Sequence, residues 1–124
     1  MSRIRAKNTK PELRFRKYLF SQGLRGYRLH HNILGKPDVT FTNKKIAIFV
    51  DGCFWHKCPK CFKYPVSNKK FWKEKILINV KRDKRVNKEL YGLGYRTLRF
   101  WQHEIKEDLK ECYEQVNIAL RASN

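Results

Sequence analysis

The run Lys45-Ile46-Ala47-Ile48-Phe49-Val50, closed by Asp51-Gly52, restricts the fold of this chain more than any other segment. Its β-branched, uninterrupted apolar character reads as a buried strand that runs into a turn. Directly beyond it, Cys53, His56, Cys58 and Cys61 fall within nine residues, with Phe54 and Trp55 between the first cysteine and the histidine. One stretch therefore offers a strand end, a set of metal-ligand side chains, an aromatic pair and an imidazole.

A chain of 124 residues is the size of one domain and can bury an ordinary core, so residues 1–124 are read as a single unit. Its 29 Lys and Arg against 11 Asp and Glu leave a formal charge of +18, which makes a polyanion the expected partner. No apolar run approaches the roughly 18 residues needed to span a membrane, and no short apolar segment with a cleavage site opens the chain. A cytoplasmic, reducing setting is expected, in which four cysteines point to a metal rather than to disulfides.

In chain order, residues 1–8 with Arg3, Arg5 and Lys7 read as a basic arm. Thr9-Lys10-Pro11-Glu12 has the form of a capping box, and a helix is predicted to about Gln22, with Leu13, Leu19 and Phe20 as its apolar stripe. Alternation around Tyr27, Leu29 and His31 suggests a short strand. Asp38-Val39-Thr40-Phe41 and the run to Val50 then form a hairpin, with Asp38 and Val50 near the same end. Ser67 is expected to cap a long helix to about Leu90, on which Asn79 and Asp83 share a face. Tyr95 to Trp101 alternates as a strand, and Ile105, Leu109, Cys112, Val116 and Leu120 mark one closing amphipathic helix. The order predicts an α/β chain, a small mixed sheet flanked by helices.

Three thiolates at Cys53, Cys58 and Cys61 need one more ligand for a tetrahedral structural zinc site. Cys112 keeps step with the apolar face of the last helix and reads as a packed thiol, whereas His103 at a strand end can turn back to the loop. His56 is the competing ligand, but sharing an ion with both nearby cysteines would demand a very tight loop. Otherwise its imidazole is left to act as a base near neutral pH. Asp38 beside the main-chain carbonyl of Val50 is a hard-oxygen site suited to Mg²⁺. Phe54 and Trp55, on a rigid loop of a basic protein, have the shape of a wedge between base steps, where unstacking is easiest at a mispair.

The segments Ser2 to Glu12, Gly35-Lys36-Pro37-Asp38, Val50-Asp51-Gly52-Cys53-Phe54-Trp55-His56 and Phe71-Trp72-x2-Lys75-Ile76-x2-Asn79-x2-Arg82-Asp83 resemble, in order and spacing, the very short patch repair DNA mismatch endonucleases. The resemblance implies a restriction-endonuclease-like fold. It implies an Mg²⁺-dependent enzyme, working with two ions, that nicks one strand of double-stranded DNA 5′ to the thymine of a T:G mispair. Asp38 would bind metal with the Val50 carbonyl, and Glu12 would hold metal-bound water. His56 would activate water with the support of Asp83, and Phe54 and Trp55 would intercalate. The structural zinc positions fall on Cys53, His103 and the region of Cys58 and Cys61. The Glu-x-Lys usual in this fold is absent, so the histidine takes the place of the lysine.

Two other readings compete: a restriction-type or structure-specific nuclease of the same fold, and a zinc-stabilised DNA-binding module without catalysis. The set Asp38, His56, Asp83 and Glu12 disfavours the second, because binding alone has no need of it. A monomer is expected, since one nick needs one active site; partner proteins of a repair machinery are not specified by the sequence.

Overall fold

The computed structural model describes residues 9–122, so the basic arm at 1–8 lies outside the described residues. Eight elements follow one another: α1 (Lys10–Ser21), β1 (Arg28–Leu29), β2 (Val39–Phe41), β3 (Ile46–Asp51), α2 (Lys69–Gly92), β4 (Arg96–Trp101), α3 (Gln102–Glu107) and α4 (Leu109–Ala122). The sheet has the order β1-β2-β3-β4. The first two pairings are antiparallel, and β3 and β4 run parallel, with α2 as the crossover.

The apolar run is a central strand because both of its faces are covered. Ile46 and Ile48 face a core made with Phe15 and Leu19 of α1, Phe100 of β4, Ile105 of α3 and Cys112 and Val116 of α4. Ala47 and Phe49 alternate onto the opposite face against Val86 and Leu90 of α2. Continuing that period of two, Asp51 falls on the α2 side at the end of the strand. Gly35 shows how close the second layer is: a Cβ there would stand 2.6 Å from Val86 Cγ1, and its φ of +79° is one that side chains rarely adopt.

Local differences from the sequence expectation have local causes. Helix α1 does start on a cap, since Thr9 Oγ1 accepts the Glu12 amide at 3.4 Å. Its buried stripe is Glu12, Phe15 and Leu19, whereas Phe20 is exposed beneath the Arg25 guanidinium. Ser67 does not cap α2: Asn68 stands at that position in a left-handed conformation without a side-chain cap bond. The closing helix is two helices, broken at Asp108, whose backbone leaves the helical region at φ −134° and ψ 50°.

No helix among the described residues is long and apolar enough to cross a membrane.

Candidate active site and metal centre

The hairpin brings Asp38 to the third strand through the backbone. The Asp38 amide donates to the Ile48 carbonyl at 2.9 Å, and the Val50 amide donates to Asp38 Oδ2 at 2.7 Å. Helix α1 lays Glu12 alongside. Both carboxylates are buried, yet both border an open cleft of about 580 Å³ that is also lined by Val50, Asp51, His56 and Asp83. Asp38 and His56 thus face the same space.

Two clusters stand in that cleft. In the first, Glu12, Asp38 and His30 bring their ligand atoms within 4.8 Å of one another. Glu12 Oε2 accepts from Arg16 at 2.8 Å and is 2.6 Å from His30 Nε2. Two buried carboxylates whose oxygens converge at the edge of the cleft fit a hard divalent cation, whose charge would offset the burial of the acids. In the second, His56 Nδ1 is 2.5 Å from Asp83 Oδ2 of α2, and His56 Nε2 is 3.9 Å from Asp51 Oδ1. A carboxylate on Nδ1 holds the proton there and leaves Nε2 to accept one from water.

The loop between β3 and α2 gathers a third cluster. Sγ of Cys53, Cys58 and Cys61 lie 3.4, 3.5 and 3.4 Å from His103 Nδ1. With zinc–sulfur and zinc–nitrogen bonds of about 2.3 and 2.05 Å, a tetrahedron has an S to N edge of roughly 3.5 Å, so the four residues fit one zinc ion. The thiols differ in the absence of metal. Burial pushes Cys53 up to about 11. At Cys58 burial acts the same way but is outweighed by the amides of Cys61 and Lys60, which hold the thiol below its ordinary value. Cys112 stands apart in the core, its thiol pushed up to about 12 by burial and by the acids around it.

Phe54 and Trp55 lie on this loop with ring centroids 5.1 Å apart, and Trp55 is 40% exposed. Phe54 is half-buried, because Phe62 and Trp72 pack on it at 5.6 and 5.4 Å. Trp72 also meets Trp55 at 5.7 Å, so α2 braces the pair from behind.

The sequence reading missed Asp51, His30, Arg99 and the second role of Trp72. Asp51 had one available signal, the strand period that places it across the sheet from Val50. Arg99 had none, since its partners are 12 to 48 residues away.

A small mixed sheet with acids at the ends of its strands, and a histidine on the following loop, has the architecture expected of the restriction-endonuclease-like class. Comparison with known sequences narrows this. The family described as DNA mismatch endonuclease Vsr matches residues 1–62. The Type II nicking enzyme V.NaeI of Lentzea aerocolonigenes is 42% identical over 113 residues, 87% of this chain and 68% of that protein. The Type II nicking enzyme V.HpaIIP of Haemophilus parainfluenzae is 48% identical over 116 residues, 92% of this chain and 82% of that one. The DNA mismatch endonuclease Vsr of Escherichia coli (strain K12) is 38% identical over 104 residues, 82% of this chain and 66% of that one. The chain belongs to the Vsr family of DNA endonucleases.

Proposed function

We propose that this protein nicks one strand of duplex DNA 5′ to the thymine of a T:G mispair, acting as a monomer in very short patch repair in the bacterial cytoplasm. The observation that carries the reading is the cleft in which Asp38 and Glu12 face His56 and Asp83. It is supported by relatives named as nicking enzymes and as a mismatch endonuclease.

Asp38 and the Val50 carbonyl would hold Mg²⁺, with Glu12 receiving its water shell. Mg²⁺ held there, two ions on this reading, would supply positive charge against that gathering on the phosphate and the leaving oxygen. His56 takes the proton of the attacking water at Nε2, and Asp83 keeps its ring turned to do so. The aromatic pair enters the duplex beside the mispair, where separating the base steps costs least. A zinc ion on Cys53, Cys58, Cys61 and His103 would keep that loop from folding back.

The test is incubation of the protein with Mg²⁺ and duplexes that differ only in carrying T:G, T:A or C:G at one position. Nicking of the T:G duplex alone is the expected result. Indifferent cleavage would indicate a nuclease with another target, and retention of DNA without cleavage a binding module.

A further inference from the structure

The imidazole of His56 stands between two carboxylates, Asp51 and Asp83, and both of these also face Arg99. Strand β4 runs parallel to β3 with Arg99 opposite Phe49, which places the guanidinium on the α2 face. Its NH1 donates to both oxygens of Asp51 at 3.1 Å and lies 3.7 Å from Asp83 Oδ1. Its Nε donates to Asn87 Oδ1 of α2 at 2.8 Å, and its Cζ sits over the Phe49 ring, 4.0 Å from the centroid. The fork is thus seated on three sides: one nitrogen hydrogen-bonds Asp51 and forms a longer ion pair with Asp83, so both carboxylates that flank His56 face it. Asp83 presents its other oxygen to His56 Nδ1, while Asp51 stops 3.9 Å short of Nε2, beyond hydrogen-bond reach.

We propose that Arg99 is a positioning residue for strand cleavage: it delivers Asp83 to one nitrogen of His56 and restrains Asp51 from the other, so that water reaches Nε2. The inference rests on the reading of His56 as the base. Asp51 is only 4% exposed, and Nε2 is the nitrogen it would meet on leaving Arg99. A small rotation of the Asp51 side chain would bring it onto Nε2 and fill the place that water must occupy. Lysine cannot substitute, because an ammonium that met the two carboxylates would lack the second nitrogen that bonds Asn87 and the flat face that lies on the Phe49 ring, and so would lose its seat.

The experiment compares zinc-loaded wild type with Arg99→Met, Arg99→Lys, Asp51→Asn and the double variant Arg99→Met with Asp51→Asn. Single-turnover nicking, half-saturating DNA concentration, zinc content, melting and the side-chain ¹⁵N spectrum of His56 are read for each. Arg99→Met is expected to slow the chemical step by about 100-fold, the order of loss that follows from a misplaced reacting group, with DNA saturation, zinc content and melting little changed. Arg99→Lys stays similarly slow, and it decides the matter if the methionine variant does not fold. Adding Asp51→Asn should recover roughly tenfold of the lost rate, because the restrained group no longer competes for Nε2. The spectrum should show the Nδ1-protonated tautomer in the wild type, lose it in Arg99→Met and regain it in the double variant. Undiminished nicking in Arg99→Met, a double variant no faster than the single one, or a rate loss matched by loss of zinc or of melting would each overturn the assignment. If the wild type leaves the T:G duplex intact, the functional reading fails instead, and the His56 spectra still decide the place of Arg99.

Discussion

Asp38 has two tasks that a pair of substitutions separates. Its Oδ2 accepts the Val50 amide at 2.7 Å, which fastens the hairpin, and its negative charge faces the cleft. Asp38→Asn keeps an oxygen for Val50 and loses only the charge. We expect it to melt as the wild type does, while nicking falls by roughly 100-fold or more, since the electrostatic term at the phosphate is removed. Asp38→Ala should lose the same activity and in addition about 1–3 kcal/mol of stability, because a partly buried amide is left without its acceptor. Equal melting of the two variants, followed by thermal denaturation, would show that the hairpin does not depend on this bond. That Asp38 and His56 share one cleft was legible in the sequence, because Asp38 directly precedes β2 and His56 lies on the loop that leaves β3, and turn residues mark both places. His30 and Arg99 were not legible: each acquires its role from a carboxylate brought to it by a different element, across 18 residues for Glu12 and 48 for Asp51.

At the scale of elements, periodicity located nearly every helix and strand and misjudged which side of some was inside. A helix with Leu13, Leu19 and Phe20 as its stripe would leave Phe15 out, yet Phe15 is fully buried and Phe20 is covered only by Arg25. A stripe of three residues is too narrow to set the rotation of a helix whose buried face includes a glutamate. The closing helix was read as continuous because Ile105, Leu109, Cys112 and Val116 keep step across Asp108, and apolar spacing does not register a break that preserves phase. Cys112 was placed correctly by the same spacing. The distinction between its thiol and the other three gives a chemical prediction. With zinc bound, alkylation at neutral pH should be slow at every cysteine; after chelation it should reach Cys58, whose thiol is held below its ordinary value, and the exposed Cys61 first, Cys53 more slowly, and Cys112 last. Cys112 is in the core, and burial has pushed its thiol up to about 12, far above the pH of labelling. Mass spectrometry of the labelled protein checks the order, and early modification of Cys112, or no effect of the chelator, would contradict the zinc assignment.

Across the whole molecule the charges are sorted. Of 11 acids, Glu12, Asp38, Asp51 and Asp83 border the cleft and five more lie between Glu104 and Glu114, so most of the remaining surface is left to Lys and Arg. Such a surface attracts phosphates without regard to base sequence, while the acids are kept where a cation would neutralise them. On the proposed reading, discrimination would come from a part that carries little charge, the aromatic pair that Trp72 packs against. Replacing Phe54 and Trp55 by alanine should therefore divide the two kinds of binding. Preference for a T:G duplex over its T:A counterpart should fall by about ten- to a hundredfold, the order expected when one or two base-stacking contacts are lost. The slope of log affinity against log salt should stay as it was, because the number of phosphates neutralised has not changed. Titrations at several salt concentrations on both duplexes measure the two quantities separately. A shallower slope with the preference intact would move the pair from mispair recognition to general contact with the backbone.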